Sequence, residues 1–115
     1  MTDSAIFVNE LVRAVPVLTA ALDEHLSDHR TLLPHVFMGD VTRFAINAAS
    51  NPELRSSVQR LLDHLDEGLR SGSDEVRELI GASFVENLIG ETTALCALRP
   101  LMKPALKAEA AATCG

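Results

Sequence analysis

Residues 51–90 read NPELRSSVQRLLDHLDEGLRSGSDEVRELIGASFVENLIG, and this stretch decides the fold. Asn51 stands where an N-cap belongs, Pro52 suits the first helical turn, and Glu53 meets the positive end of the helix dipole. From there Leu54, Val58, Leu61, Leu62, Leu65 and Leu69 form one apolar stripe at helical spacing, with Asp63, Asp66, Glu67 and Arg70 on the opposite side. Gly72 is placed to end the helix in a left-handed cap. A second helix starts near Ser73 with Asp74 and Glu75 in its first turn, and shows Val76, Leu79, Ile80 and Phe84 along one face. Val85, Leu88 and Ile89 point in other directions, so this segment is apolar nearly all round and is expected to be central. Two antiparallel helices joined by a Gly-Ser turn at 71–73 make an αα-hairpin.

Working outward towards the N-terminus, the pattern stays helical. Residues 35–49 place Phe37, Val41, Phe44 and Ala48 within a narrow arc, with Asp40, Arg43 and Asn47 on the other side. Residues 28–34 read as a loop. Before it, Leu18, Leu22 and Leu26 recur every four residues with Ala21 beside them, and a first helix carries Ile6, Leu11, Val12 and Val15 up to a break at Pro16. Beyond residue 90 a short helix over 92–98 is stopped by Pro100, and Pro104 opens a last helical turn; residues 91–115 have the least defined pattern. The expectation is an all-α fold, a compact bundle or short stack of about five to six helices arranged as hairpins, in a single domain over 1–115.

Composition agrees with that class and narrows function. The chain of 115 residues is 47% hydrophobic but 3% aromatic, so its core rests on Leu, Val, Ile and Ala, a mixture that favours helix over sheet. Sixteen acids oppose ten Lys and Arg for a net charge of −6, which argues against a nucleic-acid partner. An apolar run of about eighteen residues and a charged-then-apolar leader are both missing, so membrane spanning and secretion are not indicated. Cys96 and Cys114 match no paired metal or redox spacing, and a reducing cytoplasm is the simplest reading.

Few residues carry candidate chemistry. His25 and His29 stand at i, i+4, a spacing that can place two imidazoles on one metal ion, with Asp28 or Asp40 as a further ligand. The ordinary alternative is that histidines near a helix C-terminus meet the negative end of its dipole. No nucleophile with an adjacent base and no glycine-rich phosphate loop is announced. Catalytic residues and cofactors are therefore assigned to none. Gly39 and Gly81, inside helices, are read as points where another helix approaches closely. Asn87 falls at the centre of the fifth helix's apolar face when each residue advances 100°, with Ser83 beside it and Glu86 at the edge within reach of Arg43. With His35, these form a candidate buried polar or pocket set. Asp40, Arg43, Asn47, Asp63, Asp66 and Glu67 form a candidate partner-binding surface.

The segments Leu32-Leu33-Pro34-His35-Val36-Phe37-Met38-Gly39-Asp40 and Ser83-Phe84-Val85-Glu86-Asn87-Leu88 resemble a family of small bacterial proteins of uncharacterised activity, over roughly residues 5–90. In similar chains a variable leucine-rich stretch separates the two motifs. The resemblance implies a short cytoplasmic helical protein of the kind suspected to be an immunity partner of a secreted toxin. The reading carried forward is a non-enzymatic protein-binding module, immunity or antitoxin-like, whose acidic face covers a basic protein. Its rivals are a small metal-dependent enzyme using His25 and His29, and a self-associating structural protein that forms a homodimer.

Overall fold

The computed structural model describes residues 2–110, and among these there are helices and turns but no strand. Helix α1 spans Asp3–Ala14. Thr2 caps it by accepting from the Ala5 N–H, and Glu75 from a later helix accepts the Ser4 N–H at 2.7 Å. Phe7, Val8, Leu11 and Val12 form its buried face. At Val15-Pro16 the chain bends by 114° through the turn Pro16–Leu18 into α2, Thr19–His29. Pro16 lacks the N–H that would continue the first helix, which accounts for the break.

Helix α2 corrects the expectation for its leucines. Leu18 is buried in the preceding turn, but Leu22 is half-buried and Leu26 is 39% exposed. The side chain that α2 does bury is His25. The helix ends at Arg30, whose φ of 62° is left-handed, and the loop to Leu33 is shorter than the sequence implied. Helix α3, Pro34–Ala48, buries Phe37, Met38, Val41, Thr42, Ala45 and Ala48, while Phe44 is only half-buried.

Asn51 caps as expected, accepting the Glu53 N–H at 3.1 Å, and the turn Pro52–Leu54 leads into α4, Arg55–Ser71. Val58, Leu61, Leu62 and Leu65 are fully or almost fully buried. The helix does not end in a left-handed cap, because Gly72 is extended at φ −77°, ψ 166°. Glycine is needed there for space: a Cβ would lie 2.4 Å from the Gly68 carbonyl oxygen. Of the close approaches assigned to Gly39 and Gly81, only the second is found: Gly39 faces open space, but a Cβ on Gly81 would lie 3.1 Å from Glu109 of the last helix. A tighter one is at Gly68, where a Cβ would sit 2.7 Å from Phe7 and from Ile80.

Ser73 caps α5, Asp74–Ile80, which runs through a π turn, Gly81–Val85, into α6, Glu86–Ile89. Helix α7, Thr92–Leu98, and α8, Pro104–Glu109, complete the described chain. Leu95, Leu98, Met102, Leu106 and Ala110 join the same hydrophobic core as the first five helices, so this less patterned segment is part of the packed structure. Cys96 is half-buried on α7, and Cys114 lies outside the described residues. No single helix among the described residues is long and apolar enough to cross a membrane.

Candidate functional site

The two sequence motifs meet at the π turn. The apolar positions Val76, Ile80, Phe84 and Leu88 are four apart, and on a regular helix each such step drifts by about 40°. A π turn holds more residues per turn and corrects that drift. Its signature here is the Glu86 N–H donating to the Gly81 carbonyl, five residues back. Leu88 consequently replaces Asn87 on the buried face, and the expectation for Asn87 is overturned: it is exposed, as is Glu86. Ile89 is also out of the core at 43% exposure.

The widened turn opens the Ser83 carbonyl to side chains. It accepts from Thr42 Oγ1 at 3.1 Å and from Asn87 Nδ2 at 2.9 Å, while His35 Nδ1 and Ser83 Oγ are 2.5 Å apart. Thr42 and Ser83 are buried; His35, expected in a buried set, lies over Ser83 but is itself exposed. The distance suits a nucleophile and base, yet the hydroxyl belongs to a residue only 7% exposed. Among the described residues His35 forms no second hydrogen bond that would orient its ring as a catalytic base. The arrangement is a polar clamp between α3 and the π turn. Because Asn87 is exposed and contributes a single part-buried bond to it, Asn87→Leu is expected to change stability by less than about 1 kcal/mol. A urea midpoint, converted with an unchanged slope, checks this.

The candidate partner surface divides in two. Arg43 pairs with Asp40 and not with Glu86, and Asn47 is exposed on the same helix. Glu67 is exposed and holds Arg70 Nη2 and Ser71 Oγ. Asp63 and Asp66, by contrast, are engaged by the C-terminal segment. Asp63 accepts from Gln59, which also donates to the Leu101 carbonyl, and Lys103 Nζ lies 3.7 Å from Asp63. Asp66 is 1% exposed; it accepts the Leu106 N–H at 2.9 Å and Arg70 Nε at 2.8 Å. Asp66 is therefore not a partner-binding residue.

Asp40 and Arg43 stand at the α2–α3 corner. A cleft of about 480 Å³ there is lined by Glu24, His25, Asp28, His29, Val36, Asp40 and Arg43, together with Ala21. Val36, 48% exposed, lines this cleft; Leu33 is 38% exposed in the loop before α3, and Leu26, 39% exposed, lines a separate groove with half-buried Leu22 and Leu32. His25 anchors this corner. Its Nε2 accepts the Leu33 N–H at 3.0 Å, and its ring packs edge-on to Phe37 and 4.6 Å from His29. A backbone N–H can only donate, so Nε2 holds the lone pair and the proton of the neutral ring sits on Nδ1. Neither nitrogen then offers a free lone pair to a metal. Among the described residues no three His, Cys, Asp or Glu side chains are grouped to hold one.

Burial lowers the His25 pKa, with repulsion from His29 adding to it and Asp28 opposing it. Burial likewise lowers that of His64, against Glu10 and Glu67. For a folded-state pKa below the unfolded 6.5, the unfolded chain binds protons that the native chain refuses. Stability is thus full above about pH 6.5 and declines as pH falls through the window between the unfolded and folded values. We expect a loss on the order of 1 kcal/mol between pH 7.5 and 5.5. His25→Phe should flatten this decline while lowering stability at pH 7.5, since the Leu33 N–H loses its acceptor. Urea titrations of both proteins at the two pH values measure it.

No curated protein and no solved structure matches the chain. A family model, a domain of unknown function designated DUF7674, matches residues 8–114, a longer span than the two motifs alone suggested. With the match running from α1 through α8, the chain belongs to the DUF7674 family.

Proposed function

We propose that the chain is a non-enzymatic protein-binding module and that the α2–α3 corner is its binding face. The observation that carries this reading is the exposure of Val36 in a charged cleft, with Leu33 exposed in the loop that joins α2 to α3. Exposed apolar side chains rimmed by polar groups are typical of interaction sites. Glu24, Asp28 and Asp40 in the cleft, and a chain charge of −6, favour a basic partner and speed its association. An immunity or antitoxin-like role is the form of this function that the two motifs favour, with the acidic corner covering a basic toxin surface.

The test is affinity capture from the native organism at low and high salt, comparing wild type with the double variant Leu33→Asp, Val36→Asp. Both positions are exposed, so the fold is expected to survive. A basic protein should be retained by wild type, released by salt and lost with the variant. Recovery of no specific partner at either salt contradicts the proposal.

A further inference from the structure

His25, 2% exposed on α2, is bonded to the turn that leads into α3. The turn begins at Arg30, the sole non-glycine residue among those described with a left-handed φ, and ends at Leu33, which offers α3 no side-chain cap. An arginine at φ 62° is strained, so the turn keeps its shape only while its ends are fastened. The Arg30 N–H donates to the Leu26 carbonyl at 2.8 Å, and the Leu33 N–H donates to His25 Nε2 at 3.0 Å. The second bond exists only while Nε2 keeps its lone pair, because a backbone N–H cannot accept. The other ring nitrogen, Nδ1, is buried without a hydrogen-bond partner. A proton added to the ring therefore sets one N–H against another and places a charge between Phe37 and His29 with no acceptor at either nitrogen.

Acceptors lie instead in the cleft that His25 lines. Glu24, Asp28 and His29 reach it from α2, and Asp40 and Arg43, paired with each other, from α3. Residues 31–33 carry no charge, α1 contributes no charged residue to this cleft, and His35 at the start of α3 is engaged by Ser83. We infer that His25 is an acid-operated latch: on protonation its ring leaves the Leu33 N–H for the carboxylates of the cleft, and the Arg30–Leu33 turn opens while the rest of the fold stays closed. Burial first and His29 second, against Asp28, lower the folded pKa from 6.5, so the latch is fully closed above that value and opens as pH falls below it. Opening gains up to about tenfold per pH unit in that range. Leu33 and Val36 belong to the proposed binding face, so acid loosens that face; this consequence rests on the proposed function, whereas the latch itself does not.

The test is NMR of the full chain without a partner, between about pH 7.5 and 5.0, reading the His25 ring, the amide protection of Leu33 corrected for intrinsic exchange, and the amide resonances of buried Val58 and Leu79. The expected result is a fall in Leu33 protection by about tenfold or more, with Val58 and Leu79 remaining at their folded positions. His25→Gln supplies an amide oxygen that accepts the Leu33 N–H and does not titrate, so protection there becomes independent of pH. His29→Gln, at an exposed position, keeps the wild-type fall. Constant Leu33 protection in wild type, or a fall that His25→Gln shares, overturns the inference. Loss of the folded Val58 and Leu79 resonances over the same range also overturns it, because the whole fold has then opened. Should His25→Gln fail to fold, the wild-type and His29→Gln measurements still decide the matter.

Discussion

Asp66→Ala destabilises the fold by about 2 to 4 kcal/mol and loosens α8 first. The carboxylate sits on α4, 1% exposed, and reaches across forty residues to accept the Leu106 N–H in the first turn of α8. It therefore acts as an N-cap supplied by another helix, in place of one from Lys103, which makes no side-chain cap. Alanine strands that buried N–H, at about 1 to 3 kcal/mol, and forfeits the pairing with Arg70. The Arg70 side chain is 53% exposed and can return to water, which keeps the cost below that of a fully buried pair. Asp66→Asn retains an acceptor for Leu106 and should cost less than half as much. Amide exchange in α8, compared with exchange in α4, separates local release from global unfolding.

The same carboxylate sets an acid limit. Burial alone would raise its pKa, but the N–H groups of Leu106 and Ala105 and the Arg70 guanidinium together hold it below the ordinary value. A depressed carboxylate stabilises the fold above the unfolded pKa near 3.8 and loses that contribution as pH falls through the folded value. This decline lies well below the histidine window, so the two are separable in one pH series.

Phe84→Ala is expected to cost about 3 to 5 kcal/mol, the largest effect of any single truncation considered. Phe84 is fully buried in the π turn, where it faces α3 and the core. Its removal leaves a cavity lined by helices that are pinned by the Ser83 clamp to Thr42 and His35, and that limits collapse into the space. The loss should appear as a lower urea midpoint with an unchanged slope. A cost under about 1 kcal/mol would show that the π turn repacks freely.

Much of the architecture was legible where local chemistry and periodicity agree. Asn51, Pro52 and the leucines of α4 specify both the start and the buried face of that helix, and the all-α class follows. The π turn was not legible. Residues advanced at a constant 100° put Asn87 inward, and only the four-residue spacing of Val76, Ile80, Phe84 and Leu88 hinted at a wider turn. Asp66 looked like part of a solvated face because the segment that covers it is forty residues away and weakly patterned. The recurring leucines misled in part: Leu18 is buried and Leu22 packs against the core, but Leu26 at the end of the same stripe is exposed. Of the candidate site, Asp40 and Arg43 were placed together with His25, His29 and Asp28, although no sequence spacing joins α2 to α3. His25 was legible as half of an i, i+4 pair with His29, but its role as the anchor of the corner, accepting the Leu33 N–H, was not.

The most direct test of the binding face is site-specific photo-crosslinking in the native organism, with a benzophenone side chain at Val36 and, in a second protein, at Ile89. The two positions are similarly exposed, but Ile89 lies on α6 in a different cleft, with Arg77 and Glu78. The account predicts one discrete adduct with a basic protein from position 36 and none from position 89. Equal labelling from both positions, or an adduct from position 89 alone, would contradict it.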